Sequence, residues 1–146
     1  MTVKDDLHHP VDEDAARYQN ATELSAIDTE IRCQLPHLSI EDGHELARVV
    51  GHLVRAFRPE RIYVFGSHAR GTPTANSDVD LLVLVASSDQ LPHQRAQKAY
   101  TAVGAHHIPL DILVMTRQDF DTRLPAVASL PATVAREGRT VYATTA

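Results

Sequence analysis

Three aspartates stand in or beside the most apolar stretches of the sequence, and their setting suggests metal chemistry. Asp78 and Asp80 open the apolar run 81–85 (LLVLV), and Asp111 lies inside the run 110–115 (LDILVM). A carboxylate in an apolar setting is costly unless a partner compensates its charge. No basic residue stands beside any of the three, so we expect them to converge on a divalent cation. Ligation by oxygen alone suits Mg²⁺ or Mn²⁺.

The spacing of the first two aspartates predicts that they share one face of a strand. Residues i and i+2 of a strand point the same way, about 6–7 Å apart. Asp78 and Asp80 then face one side while Val79 and Leu81 face the other. If the strand around Asp111 is their neighbour, its carboxylate joins them. We therefore predict that these three aspartates are both metal ligands and catalytic residues, with Asp111 placed to bind an ion or to act as a general base.

A glycine-serine turn precedes the aspartates and supplies a candidate phosphate-binding site. Gly66 follows the β-branched and aromatic segment 62–65, and a glycine lets the backbone approach a ligand closely. Backbone amides and the Ser67 hydroxyl would bind phosphate oxygens, and Arg70 is within reach of the same anion. His68, in the same turn, is predicted to lie on the surface. Carboxylate-bound metal ions beside a phosphate site are the parts of a two-metal phosphoryl or nucleotidyl transfer.

These residues need a sheet to hold them, and the pattern of apolar residues predicts an α/β (α+β) fold with a mixed central β-sheet flanked by helices. Strands are predicted at residues 62–65, 78–85, 110–115 and, as a short edge strand, 141–142. Helices are predicted at residues 12–33, 39–57, 93–106, 116–124 and 126–137.

Local signals predict the ends and the packing of these helices. Ser39 with Asp42 resembles a capping box at the start of the second helix. Gly51 inside that helix suggests a close packing contact. Tyr100 is predicted to face the core from the helix 93–106, and Gly138 to close the last helix as its C′ residue.

Length and composition favour one catalytic domain. The 146 residues suffice for a single core, and no apolar run approaches the roughly 18 residues that span a bilayer. We expect an N-terminal, partly helical extension at 1–38 and the catalytic domain at 39–146. A single cysteine, Cys33, and the absence of a secretory signal suit the cytoplasm. The acidic balance of the first 45 residues argues against direct binding of nucleic acid.

The motif resembles that of a known superfamily. Gly66-Ser67, ten residues, then Asp78-Val79-Asp80 resembles the signature of the DNA polymerase β-like nucleotidyltransferases, and Asp111 matches their third carboxylate. The small size is similar to that of the minimal nucleotidyltransferase (MNT) antitoxins, which act on HEPN-domain ribonuclease toxins. The resemblance covers about residues 40–142. It implies a polymerase β-like fold, ATP as donor with two Mg²⁺ ions, and transfer of AMP to a tyrosine hydroxyl of the cognate toxin.

Two other functions stay open at this point. The chain is also compatible with a binding module that masks its partner without catalysis. It is equally compatible with a nucleotidyltransferase for a small hydroxylated acceptor such as an antibiotic. Enzymes of that kind usually carry an added helical domain, and a homo-oligomer would have to supply the missing wall. The sequence does not determine which nucleotide base the protein recognises. It also leaves open the acceptor, the oligomeric state and the role of residues 1–38.

Overall fold

Helices and strands alternate along residues 21–144, the part of the chain that the computed structural model describes. Helix α1 occupies residues 21–34 of this range; residues 12–20 of the predicted helix 12–33 lie outside it. The other elements are α2 (Ile40–Phe57), β1 (Arg61–Phe65), α3 (Ser67–Arg70), β2 (Val79–Val85), α4 (Pro92–Val103), β3 (Leu110–Thr116), α5 (Arg117–Arg123), α6 (Leu130–Glu137) and β4 (Arg139–Ala143). None of the helices in this described range is long and apolar enough to cross a membrane.

The four strands form one mixed sheet in the order β3-β2-β1-β4. Strand β1 pairs antiparallel with β2 and β4, whereas β2 and β3 run parallel. A parallel pair needs a crossover connection, and α4 provides it between β2 and β3. The predicted mixed sheet flanked by helices is therefore confirmed, with β2 as an inner strand.

The two faces of the sheet are covered to different extents. Val79, Leu81 and Val83 of β2 pack into the larger core, together with residues of α1, α2 and α4. Leu82 and Leu84 point to the opposite face, where they meet residues of α5 and α6. The run of apolar residues in β2 reflects this double cover, because a strand buried on both faces has no polar side to alternate. The prediction that Val79 and Leu81 face away from Asp80 is confirmed.

Helix α2 begins and ends where its local signals predict. The Ser39 side chain accepts a hydrogen bond of 3.1 Å from the backbone N–H of Asp42, and Ser39 is the N-cap. Arg58 ends the helix in the left-handed region at φ 49°. Gly51 lies against α1, since a Cβ atom there would be 3.7 Å from Leu24 Cδ1. The predicted close contact is present, and it is an ordinary van der Waals distance.

Helix α6 starts later than predicted, at Leu130 rather than at Ala126. The Ser129 side chain caps its first turn and a proline follows at once, so the helical hydrogen bonds begin there. Gly138 ends the helix but does not adopt the left-handed C′ conformation, because its φ is −66°. The requirement for glycine is steric: a Cβ atom would meet the carbonyl oxygen of Val134 at 2.5 Å.

The prediction that Tyr100 faces the core was wrong. The side chain of Tyr100 is 40% exposed, and its hydroxyl accepts a hydrogen bond of 2.9 Å from the N–H of Ile112 on the open edge of β3. The buried residues of α4 are Arg95, Ala99 and Val103. Arg95 donates from Nε to the Val114 carbonyl (3.2 Å) and from Nη1 to the Gln90 carbonyl (2.8 Å). A long side chain can occupy such a buried position when its donors bind backbone carbonyls.

The described part of the predicted extension packs into the main core. Ile27, Ile31 and Leu35 are buried in the same cluster as the apolar stripe of α2 and the inner strands. The boundary predicted at residue 38 stays a prediction. Helix α1 nonetheless packs into the same hydrophobic core as α2 and the inner strands.

Candidate active site

The sheet register places two of the three predicted carboxylates side by side. Strands β2 and β3 are parallel, and Asp80 is the register partner of Asp111. Register partners on adjacent strands project to the same face of a sheet. Asp78 comes just before Val79, the first residue of β2, and is exposed. All three aspartates therefore meet at the same end of the β2–β3 pair.

The glycine-serine turn lies directly against this pair. Gly66 has φ 74° and ψ −155°, a region that glycine alone populates without strain. A Cβ atom on Gly66 would overlap the carboxylate of Asp80. Phe65, the residue before the turn, pairs with Asp80 across β1 and β2. The backbone that would approach a phosphate is thus in contact with a carboxylate that would hold its metal ion.

Helix α3 follows the turn and carries the other two predicted binding residues. The amides of Ala69 and Arg70 donate to the Gly66 carbonyl, so those of Ser67 and His68 are the leading amides of the helix. Ser67 is half-buried beside the turn. These groups form the predicted phosphate-binding turn, and their role in binding stays a prediction.

Arg70 lies at the end of α3, within reach of α6. Its Nη1 atom is 3.6 Å from Oε2 of Glu137, and both side chains are more than one-third exposed. An ion pair of this kind is worth at most about 1 kcal/mol. Arg70 also acts on Asp80, where its positive charge lowers the pKa of the carboxyl. Arg70 can therefore exchange Glu137 for a bound phosphate at small cost.

The electrostatics at Asp80 favour a cation. Burial raises the pKa of Asp80 most, the negative charges of Asp111 and Asp78 raise it further, and His68 and Arg70 oppose the rise only in part. Desolvation and like charges both disfavour the ionised form. A divalent cation at this position would remove both penalties, because it supplies the charge that the protein leaves uncompensated.

The donor set fits a magnesium ion that shares its shell with a substrate. Among residues 21–144, no three His, Cys, Asp or Glu side chains are arranged as a complete ligand set for a metal ion. Mg²⁺ usually takes one or two carboxylates and completes its octahedron with water and substrate phosphates. Asp80 and Asp111, adjacent and with oxygen donors only, suit that mode, with Asp78 at their end of the sheet. The metal role of these three aspartates stays a prediction.

The prediction that His68 lies on the surface was wrong. Only 8% of this residue is exposed, and both ring nitrogens have neighbours within hydrogen-bond range. Its Nδ1 is 3.0 Å from Nε2 of His37, and its Nε2 is 3.4 Å from the carbonyl oxygen of Ser77. A helix of four residues has no periodicity from which this burial could be read. The contact with His37, 31 residues away, exists only in the folded chain.

The carboxylates lie on one face of the sheet, beside its edge strand β3. A cavity of about 530 Å³ lies elsewhere, between α1 and β4, with Ile27 and Tyr142 in its wall. Strand β3 is an edge strand; on its site-facing side Asp111 is exposed and the next residue but one, Leu113, is 38% exposed. Helices α5 and α6 leave Asp111 and Leu113 exposed. A large acceptor can approach Asp111 from the side.

Comparisons with known proteins identify a family. No curated protein matches the sequence. A crystal structure of a toxin-antitoxin with AMP-PNP is 26% identical with a TM-score of 0.42, over 67% of this chain and 73% of the other. The structure of a candidate nucleotidyltransferase from Sulfolobus solfataricus is 25% identical with a TM-score of 0.44, over 67% of this chain and 79% of the other. The family model of the nucleotidyltransferase domain matches residues 45–129, which include both strands that carry the carboxylates and the turn between β1 and α3, and the chain therefore belongs to the nucleotidyltransferase domain family.

Proposed function

We propose that this protein is an antitoxin that transfers AMP from ATP to a tyrosine hydroxyl of a cognate HEPN-domain ribonuclease toxin and so neutralises it. One observation carries the catalytic part: the Asp80 carboxylate lies between the Gly66 turn and Asp111, its register partner. The choice of a toxin tyrosine as acceptor rests on resemblance: the motif is similar to that of the polymerase β-like nucleotidyltransferases, and the small size is similar to that of the MNT antitoxins. The reaction would take place in the cytoplasm, a compartment that suits the single thiol of Cys33.

Each residue of the site has a distinct part in this reaction. Gly66 and Ser67 bind and orient the triphosphate, and Arg70 neutralises part of its charge. Asp78, Asp80 and Asp111 would hold the Mg²⁺ ions, which supply charge neutralisation for the triphosphate and acidify an attacking hydroxyl.

Asp111 is exposed and therefore placed to accept the proton of that hydroxyl. The tyrosine oxygen forms a bond to the α-phosphorus of ATP. The bond between the α-phosphorus and its bridging oxygen breaks, and pyrophosphate leaves.

The shape of the site supports a macromolecular acceptor. Asp111 lies on an edge strand, and Leu113 beside it offers an exposed apolar contact. A tyrosine on a protein surface can reach such an edge, whereas a small acceptor would need walls to hold it. In the described chain, Asp111 and Leu113 are both exposed on this side of β3.

The test uses the toxin encoded by the neighbouring gene. The purified toxin is mixed with this protein, ATP and Mg²⁺, and intact mass and ribonuclease activity are measured. We expect mass increases in multiples of AMP, loss of ribonuclease activity, and neither effect with Asp78→Ala. The matched control is Asp119→Asn, which changes an exposed aspartate on α5 and should leave the reaction intact.

Two outcomes would replace the proposal. Neutralisation without a mass increase, retained in Asp78→Ala, would identify a binder that masks the toxin. Transfer of AMP to small hydroxylated compounds, with an unmodified toxin, would identify a small-molecule nucleotidyltransferase.

A further inference from the structure

His68 joins three segments of the chain that meet beside the proposed nucleotide site. It lies on α3, one residue after Ser67, and its ring stacks on that of His37 with the ring centroids 5.3 Å apart. His37 belongs to the connection between α1 and α2, outside residues 45–129 that the family model matches. The third segment is the loop that leads into β2, which His68 reaches at the Ser77 carbonyl.

The chemistry of the two contacts sets the direction of the hydrogen bonds. A carbonyl oxygen only accepts, so His68 Nε2 must carry the hydrogen that faces Ser77 at 3.4 Å, the long end of the hydrogen-bond range. In neutral His68 the other nitrogen, Nδ1, is then an acceptor. His37 Nε2, 3.0 Å away, must therefore donate to it. The result is a directed chain from His37 through His68 to the backbone of Ser77.

This chain ends one residue before Asp78. Ser77 is held a second time, because its Oγ accepts a hydrogen bond of 2.8 Å from the N–H of Thr74. The start of the same loop is tied back to α3 by a hydrogen bond of 3.0 Å from the Thr72 N–H to the Ser67 carbonyl. The loop between the phosphate-binding turn and the carboxylates is thus anchored at both ends. On the carboxylate side, His68 contacts the Ser77 carbonyl before Asp78, and the Val79 N–H donates to the Pro109 carbonyl at 2.9 Å after it.

Helix α3 also has contacts with β4 and α6 that do not involve His68. Arg139 of β4 donates from Nε to the Ala69 carbonyl at 3.0 Å, and Arg70 pairs with Glu137. The Arg139 hydrogen bond holds the helix without His68, so the contact of His68 with Ser77 acts on the loop. Loss of His68 should release the loop without releasing α3.

We propose that His68 and His37 are positioning residues that hold Asp78, and through it Asp80, at the distance from the Gly66 turn that nucleotide binding requires. This role deepens the proposed function and rests on it. It also assigns a purpose to part of the predicted N-terminal extension: His37 completes the site from outside the matched domain.

The test compares substitutions that keep different atoms of the ring. His68→Gln keeps a donor at the place of Nε2, His68→Asn keeps only an acceptor at the place of Nδ1, and His68→Phe keeps the stacking ring alone. We expect His68→Phe and His68→Asn to weaken binding of Mg²⁺–AMP-PNP, measured by calorimetry, about tenfold, which corresponds to about 1.4 kcal/mol. His68→Gln should bind within about threefold of the natural protein, because it keeps the donor to the Ser77 carbonyl that holds the loop.

A control separates positioning from general stability. Val50→Ala removes core volume from α2, away from the loop, and should lower the melting temperature without changing the dissociation constant. His37→Phe keeps a stacking ring without the donor and should give an intermediate loss of affinity. Equal affinities for His68→Phe and His68→Gln, or a loss that merely follows the melting temperature, would overturn the positioning role.

Nuclear magnetic resonance of the ligand-free protein makes the inference independent of nucleotide binding. The ring nitrogen shifts should show His68 protonated on Nε2, and the amide signals of Asp78 and Val79 should move in His68→Phe but not in His68→Gln. A protein that binds no Mg²⁺–AMP-PNP would refute the proposed function alone. His68 protonated on Nδ1, or unmoved amide signals, would refute the positioning role.

Discussion

At the scale of the residue, Asp80 shows a conflict between function and stability. Burial and two neighbouring carboxylates raise its pKa, so the ionised form that a metal ion needs is the form that the ligand-free fold disfavours. Sites of this kind store unfavourable energy that a ligand releases. A substitution at position 80 should therefore change the stability of the protein, and under the proposed function it should also change metal affinity.

We predict that Asp80→Asn abolishes transfer and stabilises the ligand-free protein at pH 7. A carboxyl whose pKa is raised on folding destabilises the protein above its unfolded-state pKa, and the penalty vanishes when both states are protonated. The gain in melting temperature should therefore shrink as the pH falls through the raised pKa of the folded state, and it should be gone below about 3.9, the ordinary pKa of aspartate. Thermal unfolding at neutral and acidic pH measures it. A variant less stable than the natural protein at pH 7 would contradict this account.

Gly66 offers a second prediction at this scale, with an internal control. Gly66→Ala should lose nucleotide transfer and about 1–3 kcal/mol of unfolding free energy, because its Cβ would displace the Asp80 carboxylate and its φ is unfavourable. Gly71 has nearly the same φ, 73°, but a Cβ atom there meets nothing within 4 Å. Gly71→Ala should lose stability and keep activity. Activity assays with denaturant unfolding decide the matter, and equal activity in both variants would show that the Asp80 contact is irrelevant.

At the scale of the element, α2 holds the loop that leads into β3. The Glu45 carboxylate accepts hydrogen bonds of 2.9 Å from the backbone N–H groups of His107 and Ile108. Burial works to raise the pKa of Glu45, but these two hydrogen bonds and nearby positive charge lower it below its ordinary value. The loop enters the strand that carries Asp111, so α2 helps to place that carboxylate.

We predict that Glu45→Gln destabilises the protein at pH 7, because a neutral side chain with one oxygen accepts these bonds less well. A carboxyl with a lowered pKa stabilises the fold above its unfolded-state value, about 4.3, and loses that effect as the pH falls through its folded value. The difference between the two proteins in denaturant unfolding should thus be constant near neutrality and decline below about pH 4. A difference that grows in acid would contradict this assignment.

Helix α2 also contains a glycine, Gly51, whose replacement should stabilise the protein. Gly51→Ala should raise the unfolding free energy by about 0.5–1 kcal/mol, because alanine loses less backbone entropy in a helix interior and its Cβ would meet Leu24 at an ordinary contact distance. Chemical denaturation measures the gain, and activity should not change. A loss of stability would mean that α1 and α2 pack more tightly than the structure shows.

At the scale of the whole molecule, ligand binding and folding are linked. A ligand present at 100 times its dissociation constant adds about 2.7 kcal/mol to the unfolding free energy when it binds only the folded state. We predict this gain for ATP with Mg²⁺ and its loss in Asp80→Asn. Calorimetric melting with and without ligand tests the prediction, and ATP without a divalent ion serves as the control. Equal gains in both proteins would place the nucleotide elsewhere.

The sheet order explains why the site is open. The inner strand β2 brings Asp80 beside Gly66 on one side and beside Asp111 on the other, while β3 is the outermost strand of the sheet that residues 21–144 form. An acceptor that docks along β3 therefore reaches Asp111 first. The same order leaves the smaller helices α5 and α6 to close only the far end of the face.

Much of this arrangement was predictable because it depends on local physics. Four strands follow from β-branched runs, and the start of α2 follows from its Ser39 cap. The sequence predicted the shared face of Asp80 and Asp111 only on the condition that their strands pair, and the parallel β2–β3 register meets that condition. Spacing along one strand is a property of the backbone, so it survives folding unchanged.

Other features were decided by contacts between distant segments, which no local pattern encodes. His68 is buried where the α1–α2 connection brings His37 against it, and Tyr100 stays exposed while its hydroxyl accepts a hydrogen bond from the N–H of Ile112 on β3. Burial depends on which elements pack together, and that choice is made by the free energy of the whole core. The sequence by itself therefore determined which groups could do chemistry and on which strands they lie, whereas the tertiary structure alone decided which side chains hold them in place.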